Sequence, residues 1–217
     1  EMCIRDSVKG GRRNPKISDN IFRRLHSLKA PPPGAETPVV MEENPSRDYF
    51  FPLSGDQFRQ ALDALPNKHT RGLTHLWLRR GLSGSRQSNQ PLAEFICGSG
   101  VRVIILYPWR RDMRLCLGRD KVENRIAKSY ARYGAPPFRH RGWWYVEFSP
   151  QDLRRFYVQH LLYHEVGHHV DWYYRHWTAA NLKQAEDAAD QYAFRRARTA
   201  SHVIRRFEED GIGGGEA

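Results

Sequence analysis

The chain reads as an α+β fold: a small, mostly antiparallel sheet packed against two long C-terminal helices. Three observations lead there. Residues 101–107 (VRVIILY) and 143–148 (WWYVEF) are apolar, β-branched and aromatic runs bounded by turn residues, as strands are. Everything after Ser149 carries apolar residues at helical spacing. A length of 217 residues with 40% apolar content suits one domain of moderate size with tails.

Taken in order, residues 1–45 read as a poorly ordered basic arm, with Gly10-Gly11, the run Pro31-Pro32-Pro33-Gly34 and a short helix near 21–28. The folded domain is expected over 46–210. Ser54 can cap a helix running to Leu65, with Phe58, Leu62 and Leu65 on one face. Residues 73–80 alternate as a strand, 81–89 form a Gly/Ser loop, and 91–97 suggest a short helix. The run at 101–107 turns at 108–112 and returns at 113–117, which predicts a β-hairpin. Residues 121–133 read as helical or irregular, and 143–148 as a third strand. A helix over 151–174 follows, with Ser149 as its N-cap. A second spans 182–209, with Asn181 and Gln184 in capping-box positions and Gly211 as its stop. Residues 211–217 are a flexible tail.

Bulk properties narrow the field. There are 28 Arg and 7 Lys against 24 acidic residues, a net charge of +11. The charge is spread along the chain, as on a solvated surface, yet it favours anionic partners such as nucleic acid. The basic arm and the stretch Arg195, Arg196, Arg198, Arg205 and Arg206 point the same way. Three scattered cysteines, Cys3, Cys97 and Cys116, give neither a disulfide framework nor a cysteine metal knuckle, so a reducing, cytoplasmic setting fits. No apolar run reaches the roughly 18 residues of a membrane helix. Residues 1–7 resemble a translated sequencing adapter. In that case the natural start lies elsewhere, and a signal peptide could have preceded it.

The chemistry concentrates at His164-Glu165-Val166-Gly167-His168. Histidines four apart on a helix share a face one turn apart, so both imidazoles can reach one metal ion at about 2.0–2.1 Å. Glu165 beside them is placed to accept a proton from the metal's water. Gly167 lets a strand or a substrate pass close. On the next helix, Glu186, Ala189, Asp190 and Ala193 share a face, and the alanines allow close helix approach. Glu186 then completes a His2Glu set with one open position, the pattern of a catalytic zinc site, one Zn2+ per chain. Asp171, Asp187 and Asp190 are rival third ligands. Asp190 and Asp171 also suit a supporting role, Asp190 by accepting a hydrogen bond from a ligand imidazole. Asp171 could equally pair with Arg175. His169 and His176 point elsewhere on the helix.

These residues, HEVGH at 164–168 and EDAADQYA at 186–193, resemble the gluzincin group of zinc metallopeptidases. The resemblance covers about 40 residues and lacks the third histidine, glycine and methionine turn of metzincins. It implies a zincin-like domain in which Glu165 is the general base of peptide hydrolysis and the sheet strand nearest the site is an edge that binds substrate backbone. An oxyanion donor is also required. Tyr192, Tyr174 and His202 are candidates, and the aromatic strand 143–145 could line a groove or pack beneath the helix. The alternative from another class is a basic, nucleic-acid-associated regulatory protein whose zincin-like domain has narrow or no proteolytic activity.

Overall fold

The computed structural model describes residues 28–80, 91–174 and 179–212. The helix near 21–28 and the loop at 81–89 fall outside this range almost entirely; Arg175, His176 and the tail from 213 fall outside it completely.

The fold is mixed α+β, with its strands divided among three sheets. Strands β1 (Val39–Glu42), β3 (His75–Leu78), β4 (Ala93–Gly98) and β5 (Val101–Leu106) form the main sheet, in the order β1-β3-β5-β4. A two-residue pairing joins β2 (Tyr49–Phe50) to β6 (Trp109–Arg110). Strands β7 (Arg114–Gly118), β9 (Trp143–Glu147) and β8 (Phe138–His140) make a three-stranded antiparallel sheet in that order.

Several expectations change here. The main sheet is mixed: β1 runs parallel to β3 and β3 to β5, and only β4 runs antiparallel to its neighbour. The arm is shorter than residues 1–45, since β1 lies within it. Residues 91–97 are not helical. They form β4, and the hairpin is β4–β5, turning at Ser99 and Gly100, both with positive φ (48° and 78°). Run 113–117 instead becomes β7, beside β9. Burial explains the choice. Strand β5 is covered on both faces, so its backbone N–H and C=O groups are out of reach of water and need strand partners on either edge. Phe95, Cys97, Leu76, Leu78, Ile104 and Leu106 join the larger core, while Trp77, Ile96, Val103 and Ile105 form a second cluster on the opposite face.

Helices cover the first face. Helix α1 (Gly55–Asp63) begins with the full capping box of Ser54 and Gln57 and buries Phe58, Ala61 and Leu62. Short α2 (Asn67–Thr70) and α3 (Asn124–Ala131) follow in the chain. The next rod starts at α4 (Pro150–Arg155), with Ser149 accepting from the Asp152 amide and Pro150 at the first helical position. It widens into a π-helical segment (Phe156–Leu162) and continues as α5 (Tyr163–Tyr174). In the widened segment every residue is buried except His160, which is half-buried as a residue while its ring is turned inward among Tyr133, Phe156 and His164. Tyr157 donates to the Tyr107 carbonyl at 2.6 Å, and Tyr163, just beyond, donates to Ala61 at 2.9 Å. These bonds satisfy hydroxyls that would otherwise be costly to bury. Phe156 anchors an aromatic cluster with Tyr130, Tyr133 and Phe148.

The final helix breaks where one rod was expected. Helix α6 (Leu182–Arg195) ends at Arg196, and α7 (Ala197–Ile212) leaves on a new axis, running past Gly211. Two apolar faces require this. Ala185, Ala189 and Ala193 pack on α5, whereas Ala200, Val203, Ile204 and Phe207 pack toward α1 and α4. Asn181 occupies the cap position of α6 without a side-chain capping bond.

Candidate metal centre

Helix α5 brings His164, Glu165 and His168 to the interior, at 5%, 0% and 1% exposure. The two histidine rings face the start of α6, with centroids 4.7 Å apart. Across the gap, Glu186 Oε2 lies 3.4 Å from His164 Nε2, and Glu186 Oε1 lies 3.6 Å from His168 Nε2. Among the described residues, His164, His168 and Glu186 are the one group of three or more potential ligands whose donor atoms all lie within 4.8 Å of one another.

A metal fits this set. Tetrahedral zinc with bonds near 2.05 Å holds neighbouring ligand atoms about 3.4 Å apart. Each imidazole lies close to that distance from one carboxylate oxygen, His164 from Oε2 and His168 from Oε1. With one donor atom taken from each residue, all three lie within 4.8 Å, so a small inward shift closes the set on one ion. Glu186 Oε1 is also buried without a hydrogen bond from the described residues, an arrangement that a cation would relieve. Burial keeps His168 neutral by pushing its pKa well below the usual imidazole value, and the neighbouring His164 adds to this. A neutral imidazole is the form that donates a lone pair to a metal.

Close helix packing creates the spacing. A Cβ on Gly167 would stand 2.7 Å from the Ala189 Cα and 3.1 Å from its carbonyl oxygen. Gly167 is therefore small because α6 crosses there, not because a strand or substrate passes. The far end of α5 is fastened as well. His169 Nε2 lies 3.1 Å from the Arg71 carbonyl, which also accepts from the Tyr173 hydroxyl at 3.0 Å. Gly72 next to it has φ +81°, and a side chain there would strike Tyr173 and Arg102.

Asp190 sits one turn beyond Glu186, with Oδ1 3.0 Å from His164 Nδ1. A proton held there leaves Nε2 as the lone-pair donor toward Glu186. Burial acts to raise the Asp190 carboxyl, but in the metal-free protein with His164 protonated, the hydrogen bond and charge of that ring outweigh it and hold the pKa at about 2. Arg125, on α3, reaches both Asp190 (3.3 Å) and Asp187 (3.6 Å). Asp187 also pairs with Lys183 at 2.8 Å. Asp187 and half-buried Asp171 lie outside the ligand cluster.

The three candidate oxyanion donors separate. Tyr192 places its hydroxyl 2.9 Å from His69 Nδ1. Tyr174, 87% exposed, ends α5. His202 is exposed on α7. His160 was missed, although its place four residues before His164 was a readable signal. Its ring lies 6.2 Å from that of His164, and Nε2 is 3.5 Å from Ser129 Oγ. Burial, then the charge of His164, pushes its pKa down to about 4.

Comparison with protein-family models, curated proteins and solved structures gives no match. The functional reading therefore rests on the site itself. Among the described residues, no helix is long and apolar enough to cross a membrane.

Proposed function

We propose that the chain is a zinc-dependent metallopeptidase of zincin-like architecture, its metal held by His164, His168 and Glu186. The observation that carries the reading is the His2Glu cluster, its donor atoms within 4.8 Å of one another, with the buried Glu165 beside it. A bound zinc would supply a Lewis acid and a water of lowered pKa. Glu165, fully buried next to His164, accepts the proton released in attack on a peptide carbonyl and passes it to the leaving amine. Asp190 holds His164 in the ligating tautomer, and Arg125 braces Asp190 from α3.

The sheet supports a peptide substrate. Strand β4 is an edge of the main sheet among the described residues and packs against α5, where Phe95 meets His169 with centroids 5.5 Å apart. An extended peptide can add to such an edge through backbone hydrogen bonds. Zinc content and peptide hydrolysis are the test. Wild type and Glu165→Gln should each carry about one zinc per chain, while Glu186→Ala and His168→Ala lose it. Wild type should cleave members of a peptide library that Glu165→Gln leaves intact. No zinc after reconstitution, or full activity in Glu165→Gln, would overturn the proposal.

A further inference from the structure

Strand alternation divides the three-stranded sheet into two faces. Leu115 and Val146 oppose each other and are buried. Cys116 stands opposite Tyr145, Tyr145 opposite Phe138, and Trp143 opposite His140, so these line the other face. Aromatic rings remain at its surface. Phe138 and Trp143 are each 36% exposed, and Phe138 stacks on Tyr145 with centroids 6.0 Å and planes 29° apart. Arg119 lies 4.5 Å above the Trp143 ring.

A cavity of about 320 Å³ opens on this face, walled by Arg110, Asp112, Arg114, Phe138, His140 and Tyr145, together with Cys116 of β7. Arg110 is held by Asp112 at 2.7 Å and Arg114 by Glu147 at 2.8 Å. Both pairs are solvated, so they are weak and leave the guanidiniums open to a stronger anion. The surrounding sequence is concentrated in charge. Residues 110–147 contain ten Lys and Arg against four Asp and Glu, so this stretch supplies +6 of the chain's net +11.

We infer that this outer sheet face binds single-stranded nucleic acid, at a site separate from His164, His168 and Glu186. Phe138, Tyr145 and Trp143 offer ring faces on which unpaired bases stack, and Arg110, Arg114 and Arg119 meet the phosphates between them. A duplex keeps its bases stacked internally and would leave the rings unused. An acidic peptide would engage the arginines and likewise leave the rings idle. None of these residues belongs to the proposed metal centre, so the inference stands or falls independently of the peptidase reading.

The test is fluorescence anisotropy with a labelled oligothymidylate strand at low salt, using the full chain. Thermal melting of every variant serves as the fold control. The single strand should bind more tightly than a duplex of equal length. Phe138→Ala and Tyr145→Ala should each weaken binding about tenfold, the scale of losing one stacked base. Phe138→Tyr should retain it, which guards against a merely structural loss. Arg110→Ala combined with Arg114→Ala should reduce the log–log salt slope by about 1.4, two phosphate contacts on a single strand. Absence of binding at low salt overturns the inference. So does binding that ignores the ring substitutions, which would mark attraction by charge alone. Displacement of the strand by polyglutamate, with the ring variants unaffected, would assign the face to acidic peptides instead.

Discussion

Replacing Gly167 with alanine probes the contact that sets the spacing of the site. In an ordinary helix interior, alanine in place of glycine is favourable by about 1 kcal/mol. Here the added methyl would sit 2.7 Å from the Ala189 Cα, 3.0 Å from the Tyr192 Cβ and 3.1 Å from the Ala189 carbonyl oxygen. Carbon atoms in contact prefer about 3.5–4.0 Å, so α5 and α6 must part by about 1 Å. Overpacking of this kind costs about 1–3 kcal/mol, enough to cancel or reverse the propensity gain. Metal-free Gly167→Ala should therefore melt below wild type, by a few degrees for each net kcal/mol in a chain of this size, roughly 2–4 °C. Glu186 lies one turn before Ala189 on the displaced helix, and a working site tolerates only about 0.5 Å of misplacement. Zinc affinity, read by competition with a chromophoric chelator, should fall at least about tenfold. A variant that melts at or above wild type and binds zinc equally well would refute the claim that this crossing sets the ligand geometry.

Asp190→Ala should retain the fold but bind zinc about 10–100-fold more weakly, because His164 loses the partner that fixes its tautomer; unchanged affinity in the same chelator assay would remove Asp190 from the site. Stability of the metal-free protein should fall with acid. Burial lowers the pKa of His168 well below its usual value and those of His160 and His169 to about 4, so the unfolded chain takes up protons first. This stability is fully present above about pH 6.5 and declines toward about pH 4, at no more than about 1.4 kcal/mol per group per pH unit. Urea midpoints across that range measure it, and a flat profile would contradict neutral burial of these rings.

Little of the sheet order was legible in the sequence. Residues 101–107 were recognisable as a strand, but their partners were not. A run apolar on both faces pairs with whichever strands complete its burial, and that depends on distant segments such as Val39–Glu42. The segment at 91–97 has no period that separates a short buried strand from a helix. The break at Arg196 carries no glycine or proline signal. It comes from two apolar faces that one straight rod cannot serve together.

Features set by short-range spacing were readable in the chain. Helical spacing puts His164 and His168 on one face, the alanines of α6 announce a close crossing, and Ser54 and Ser149 mark helix starts, because each depends only on residues within a few positions. Which carboxylate meets the histidines depends on how the helices cross. Glu186, Asp187 and Asp190 lie within five residues on one helix, and their roles follow from the axis and rotation of α6 against α5. That placement is fixed by the missing side chain at Gly167, whose vacant volume the backbone of Ala189 occupies, and by the Arg71 carbonyl that holds the far end of α5. It likewise took the folded sheet to turn Phe138, Trp143 and Tyr145 outward beside the arginines. Alternation along a strand fixes two faces, but only packing decides which of them meets water.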